Sequence, residues 1–136
     1  MRKTLVLAVL FLVPGLAAPC APPPAPQNPA PDTETVICTM RVKPGAEDEF
    51  AKVIAVHWPT LRRLKLVEEK PHLVLRGKDQ SGKTYYVEIL TWVDHEAPEH
   101  VPPEVQAVWD RMQPLVEARD GHRGIEFPEV EVVGPN

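Results

Sequence analysis

The chain has 136 residues and a net charge of −4, with acids and bases interspersed rather than blocked, so there is no basic stripe of the kind nucleic-acid binding needs. Its two cysteines, Cys20 and Cys38, exclude a disulfide framework. Repeats are absent, and only the first residues form a long apolar run.

That run opens the chain. Met1-Arg2-Lys3 is basic, Leu5 to Val13 is continuously apolar and too short for a stable bilayer anchor, and Pro14-Gly15 ends it. Gly15 and Ala17 put small residues at the positions a signal peptidase inspects, so residues 1–18 are predicted to be a signal peptide and the protein to be exported, periplasmic or extracellular. Cys20, just beyond, resembles the lipidated cysteine of a bacterial lipoprotein, although Pro19 stands where that motif has a small residue. The alternatives are a free exported protein and one lipid-anchored at Cys20. Residues 19–32 form a Pro-rich linker, with proline at seven of the thirteen positions 19–31, and such a segment stays extended and buries nothing.

Residues 33–136 are one small domain, a length that supports a single core. From Thr35 to Lys43 the chain alternates, with Val36, Cys38, Met40 and Val42 on the more apolar side and Thr35, Ile37, Thr39 and Arg41 on the other: a strand. Pro44-Gly45 ends it, and Glu47, Asp48 and Glu49 complement the dipole of a helix start. Phe50, Val53, Ile54, His57, Leu61 and Leu64 make its apolar stripe, with Pro59 expected to kink or split the helix. His72 to Gly77 and Thr84 to Val93 read as strands joined by the polar Lys78–Lys83 turn, hence a hairpin. A second helix is predicted over Pro103–Ala118 and a last strand over Ile125–Val133, where Pro128 argues for an edge or a bulge.

The order βαββαβ predicts an α+β, ferredoxin-like fold, a four-stranded antiparallel sheet with two helices on one face. The other face carries Ile37 and, on this reading, Leu90 and Trp92; an uncovered apolar face implies a partner, most simply a second copy. Arg41 and Glu88 are expected to pair across neighbouring strands, and Cys38 to be an inert buried thiol.

Several segments resemble the antibiotic biosynthesis monooxygenase family of dimeric α+β barrels: Val42-Lys43-Pro44-Gly45 followed by Glu49-Phe50, then Tyr86-Val87-Glu88-Ile89 closing on Trp92, then His100 and Pro103-Glu104-Val105. The likeness spans about Thr35 to Val133. It implies a homodimer with a pocket between helices and sheet in each subunit, and, in the members that are enzymes, cofactor-independent oxygenation of electron-rich aromatics or quinols. Haem-degrading relatives use an asparagine, whereas this chain has only Asn28 in the linker and Asn136 at the end, which weighs against haem degradation.

His57, mid-stripe on the first helix, is either a satisfied core histidine or a neutral base in a pocket that Pro59 helps to open. His100 matches a family position near the pocket mouth, where it serves the helix entrance or the chemistry. Tyr85, Trp58, Trp92, Trp109 and Met112 are the candidates for holding a small hydrophobic or aromatic ligand; the simplest role of Trp109 is core, and alternation allows Trp92 to meet a partner subunit instead. His95 and His100, five residues apart, lack the spacing of metal ligands on one helical face, so no metal is expected, and the family resemblance implies no cofactor. Two functions follow: a cofactor-free monooxygenase, or a non-catalytic small-ligand-binding module of the cell envelope.

Overall fold

The computed structural model describes residues 32–134. The expected signal peptide, most of the linker and Cys20 lie outside the described residues. Strand β1 (Glu34–Arg41) leads to helix α1 (Glu47–Arg63), the hairpin β2 (Leu73–Lys78) and β3 (Thr84–Trp92), helix α2 (Pro103–Met112) and a short β4 (Ile125–Glu126). The sheet order is β2-β3-β1-β4 with every pairing antiparallel, and this is the predicted ferredoxin-like α+β arrangement.

Local chemistry explains the elements. Gly45, with φ of 86°, makes the turn that a Cβ would strain, and the acids Glu47, Asp48 and Glu49 then open α1 while Arg62 and Arg63 close it. The buried residues of α1 are Phe50, Val53, Ile54, His57 and Leu61, one face at helical spacing. The helix runs through Pro59 instead of splitting there, and the Thr60 hydroxyl donates to the Val56 carbonyl at 2.7 Å. α2 is shorter than its sequence pattern. It ends at Met112 and tightens into a 3₁₀ turn at Gln113–Leu115, because Pro114 has no N–H to continue the ladder. Val116 then bridges Val42. The last strand is likewise reduced to two residues, with single contacts beyond it at Pro128, Glu129 and Val130; the Pro128 carbonyl accepts from Ile37 N–H, but Pro128 has no N–H to donate to the sheet.

Register decides which residues face the helices. In β1 the inner row is Val36 and Met40, continued by Val42 just beyond the strand, with Cys38 half-buried; in β3 it is Tyr86, Glu88, Leu90 and Trp92. Two of the sequence expectations are corrected here. Leu90, fully buried, and Trp92 lie under the helices, not on the open face. Arg41 stands opposite Tyr85 and pairs with Glu126 at 3.0 Å, while Glu88 stands opposite Cys38, so the Arg41–Glu88 pair does not form. Fully buried side chains such as Phe50, Leu61 and Leu90 each contribute roughly 2 kcal/mol through burial alone.

The open face carries its own apolar ladder. Leu73 stands beside Ile89, which has Ile37 on its other side, and Leu75 beside Val87; Leu73 and Leu75 are about half exposed. Tyr85 belongs to this face, where its ring lies over Gly77: a Cβ there would come within 2.6 Å of the ring.

Candidate active site

The site grows from one residue, Glu88. Alternation along β3 delivers its carboxylate to the helix side of the sheet, where it is fully buried. A buried carboxylate without partners is strongly unfavourable, so it must find hydrogen-bond donors. Two imidazoles supply them. His57 Nδ1, from the inner stripe of α1, lies 2.7 Å from Oε2, and His72 Nε2, just before β2, lies 3.2 Å from Oε1.

The proton on His57 can be assigned from its other neighbour. Trp109 Nε1 donates to His57 Nε2 at 3.0 Å. An indole N–H has no acceptor role, so Nε2 carries the lone pair and Nδ1 the proton that it gives to Glu88. The chain Trp109 to His57 to Glu88 therefore runs from α2 through α1 to the sheet. A carboxylate behind the Nδ1–H of a neutral imidazole holds the ring's tautomer and stabilises the imidazolium formed when Nε2 accepts a proton.

Beside this chain lies a cavity of about 480 Å³, in the size range of small-molecule sites. Its wall includes Val36, Cys38, Met40, His57, Trp92 and Trp109, and Met112 also lines it. Trp92 and Trp109 meet edge to face, 6.4 Å apart at 84°, in the arrangement that aromatic quadrupoles favour. The Cys38 thiol is pushed up to about 12, by burial first and then by the charge of Glu88, so it stays a neutral S–H at physiological pH. Polar groups gather at Glu34, His95, Glu99, Gln106 and Gln113, and neither lysine nor arginine lines the cavity.

Of the residues singled out in the sequence, His57, Trp92, Trp109 and Met112 come together on this cavity. Three do not. Tyr85 is on the opposite face of the sheet, because its position in β3 is one off the inner row. Trp58, the residue after His57, turns away from the cavity and stacks on His72 at 4.1 Å. His100 is exposed in the 3₁₀ turn Ala97–His100, and His95 and Glu99 of the same loop reach the cavity in its place. Trp92 faces the cavity and Trp109, not a partner subunit. The sequence reading missed His72 and the central role of Glu88. A carboxylate flanked by Tyr86 and Leu90 in a strand was the available signal, since a charge on an apolar row demands partners.

No family model and no curated protein matches this sequence. Solved structures do match. SnoaB, a cofactor-independent oxygenase from Streptomyces nogalater, is 23% identical with a TM-score of 0.57, over 76% of this chain and 96% of that one. A dimeric ferredoxin-like protein of unknown function from Jannaschia sp. CCS1 is 19% identical with a TM-score of 0.53, over 74% and 99%. A candidate antibiotic biosynthesis monooxygenase from Bordetella bronchiseptica is 13% identical with a TM-score of 0.54, over 75% and 98%. The chain therefore shares the fold of structures named as antibiotic biosynthesis monooxygenases.

Proposed function

We propose that the protein is a cofactor-free monooxygenase that oxidises a small, uncharged, electron-rich aromatic compound, a phenol or quinol, in the helix–sheet cavity. The observation that carries this reading is the buried Glu88–His57 pair on the wall of an apolar cavity of about 480 Å³, where a substrate hydroxyl would replace Trp109 Nε1 at His57 Nε2. His57 would take the hydroxyl proton of the substrate, and the electron-rich phenolate would then react with O₂ directly. One oxygen atom replaces a ring hydrogen and becomes a carbonyl, and the other leaves as water. Glu34 and Glu99 in the lining, with no lysine or arginine among the lining residues, favour a neutral substrate over a carboxylated one. The fold shared with SnoaB supports the reaction class. The apolar run after Met1-Arg2-Lys3 supports action outside the cytoplasm, with or without a lipid at Cys20.

The test is oxygen consumption across a panel of hydroquinones, naphthols and their carboxylated analogues. Wild type should consume O₂ with the neutral compounds, and His57→Phe should lose about a hundredfold or more in rate while remaining folded. No consumption with any compound overturns the reading. A second reading, a non-catalytic binding module, draws on one observation: Trp109 Nε1 already occupies the His57 lone pair. Tight binding of the same compounds without turnover would favour it.

On the same reading a second copy covers the apolar ladder of Leu73, Leu75, Val87, Ile89 and Ile37. Sedimentation should find a dimer for wild type and a monomer for Leu75→Glu. A monomeric wild type removes the dimer.

A further inference from the structure

We propose that His72 is a positioning residue of this site: it holds one oxygen of Glu88 so that the other is presented to His57. The proposal rests on the reading of His57 as the base. Glu88 has two oxygens and two imidazole partners on opposite sides, His57 from α1 at Oε2 and His72 from the start of the hairpin at Oε1. A carboxylate held at one oxygen only is free to rotate about its last bond, and His57 would then lose its orienting acceptor. Held at both, its plane is set. The two histidines differ in access: the side chain of His57 is 7% exposed and that of His72 25%. His72 is thus the solvent-side end of a chain whose inner end is the cavity wall.

His72 is itself held. Its ring lies 4.1 Å from that of Trp58 at 16°, a near-parallel stack, and the Arg62 guanidinium sits 5.7 Å from the centre of the same indole. Arg62 is tied in turn by a hydrogen bond to the Val67 carbonyl at 2.9 Å. Consecutive residues of α1 therefore serve the two ends of one carboxylate: His57 bonds it directly, and Trp58 clamps the ring that bonds its other oxygen. Cys38, opposite Glu88 on β1, completes the surroundings with a thiol that is neutral at physiological pH.

The experiment compares wild type, His72→Phe and His72→Gln. Phenylalanine keeps the stack on Trp58 and removes the donor to Glu88, and glutamine restores a donor amide. Two readouts are taken: kcat and KM on the best substrate of the oxygen panel, and the proton resonance of His57 Nδ1–H in the free protein. His72→Phe should lower kcat on the order of tenfold to a hundredfold with KM little changed, and should shift or broaden the His57 resonance. His72→Gln should recover both. A folded His72→Phe with wild-type resonance and wild-type kcat overturns the proposal. If no compound is oxidised, the monooxygenase reading fails and the resonance alone decides the role of His72. Should His72→Phe not fold, Trp58→Leu frees the His72 ring without touching Glu88. An unchanged His57 resonance in that variant overturns the proposal equally.

Discussion

Glu88 and Arg119 are both charged and both buried, yet their surroundings differ in kind. Arg119 donates from Nη1 to Asp79 at 2.5 Å and from Nη2 to the Val42 carbonyl at 2.6 Å, and its Nε lies 3.3 Å from Glu117. Asp79 is in turn the hub of the β2–β3 turn, accepting from the Ser81 hydroxyl and from the N–H groups of Ser81 and Lys83. The Ser81 hydroxyl, then Arg119, hold its carboxyl well below the usual carboxylate range. Its two carboxylate partners, Asp79 and Glu117, are both held below the usual carboxylate range and stay charged near neutral pH, and no partner of Arg119 lines the large cavity. Glu88 is bonded instead by two imidazoles, rings that can take up or pass on a proton, and one of them forms part of the cavity wall. A charge enclosed by fixed countercharges fastens a turn, whereas a charge enclosed by titratable rings at a cavity can pass on the effect of a proton.

Exchanging each charge for a neutral group of similar size tests that contrast most strongly. Glu88→Gln should keep the fold, because its amide still bonds the imidazoles, and should lower oxygen consumption by about a hundredfold or more. Arg119→Met should do the reverse. It removes the countercharge beside Asp79 and one of the two beside Glu117, which keeps Lys83, and should lower the urea midpoint of unfolding, with activity of the folded fraction intact. Equal effects of the two variants on stability and on rate would dissolve the distinction.

A smaller effect sharpens it. Cys38 stands opposite Glu88, and its thiol is raised from 9.0 to about 12, by burial first and by Glu88 second. The unfolded chain releases that proton from about pH 9 upward, while the folded protein holds it to about 12, so this thiol lowers stability as pH rises through that window and has no effect below it. Cys38→Ala should flatten the decline measured in unfolding titrations above pH 9. Identical slopes for wild type and variant would mean that the fold does not raise the Cys38 thiol.

Which parts of this molecule were legible in its sequence follows from which forces are local. Gly45, the acids of the first turn and the stripe from Phe50 to Leu61 specify α1 within one stretch of chain, and alternation from Thr35 to Lys43 specifies β1 with its inner row. The βαββαβ order then leaves few ways to assemble one sheet. β3 was ambiguous for a physical reason. Both of its rows are apolar, Tyr85, Val87 and Ile89 on one side and Tyr86, Leu90 and Trp92 on the other, so period 2 separates the rows without saying which is inside. The charge of Glu88 favoured the outside. Register against β1 put it inside, because Val36, Cys38 and Met40 were already committed to the helices, and Trp92 went with it while Tyr85 went out.

The sequence by itself determined the elements, their order and the candidacy of His57, all properties of spacing along the chain. Only the tertiary structure decided that His57, His72 and Trp109 meet around Glu88. Those residues come from α1, the start of the hairpin, α2 and β3, and their meeting depends on strand register and helix packing. It also decided that α2 stops at Met112 and β4 after Glu126, where Pro114 and Pro128 remove donors that continued pairing requires.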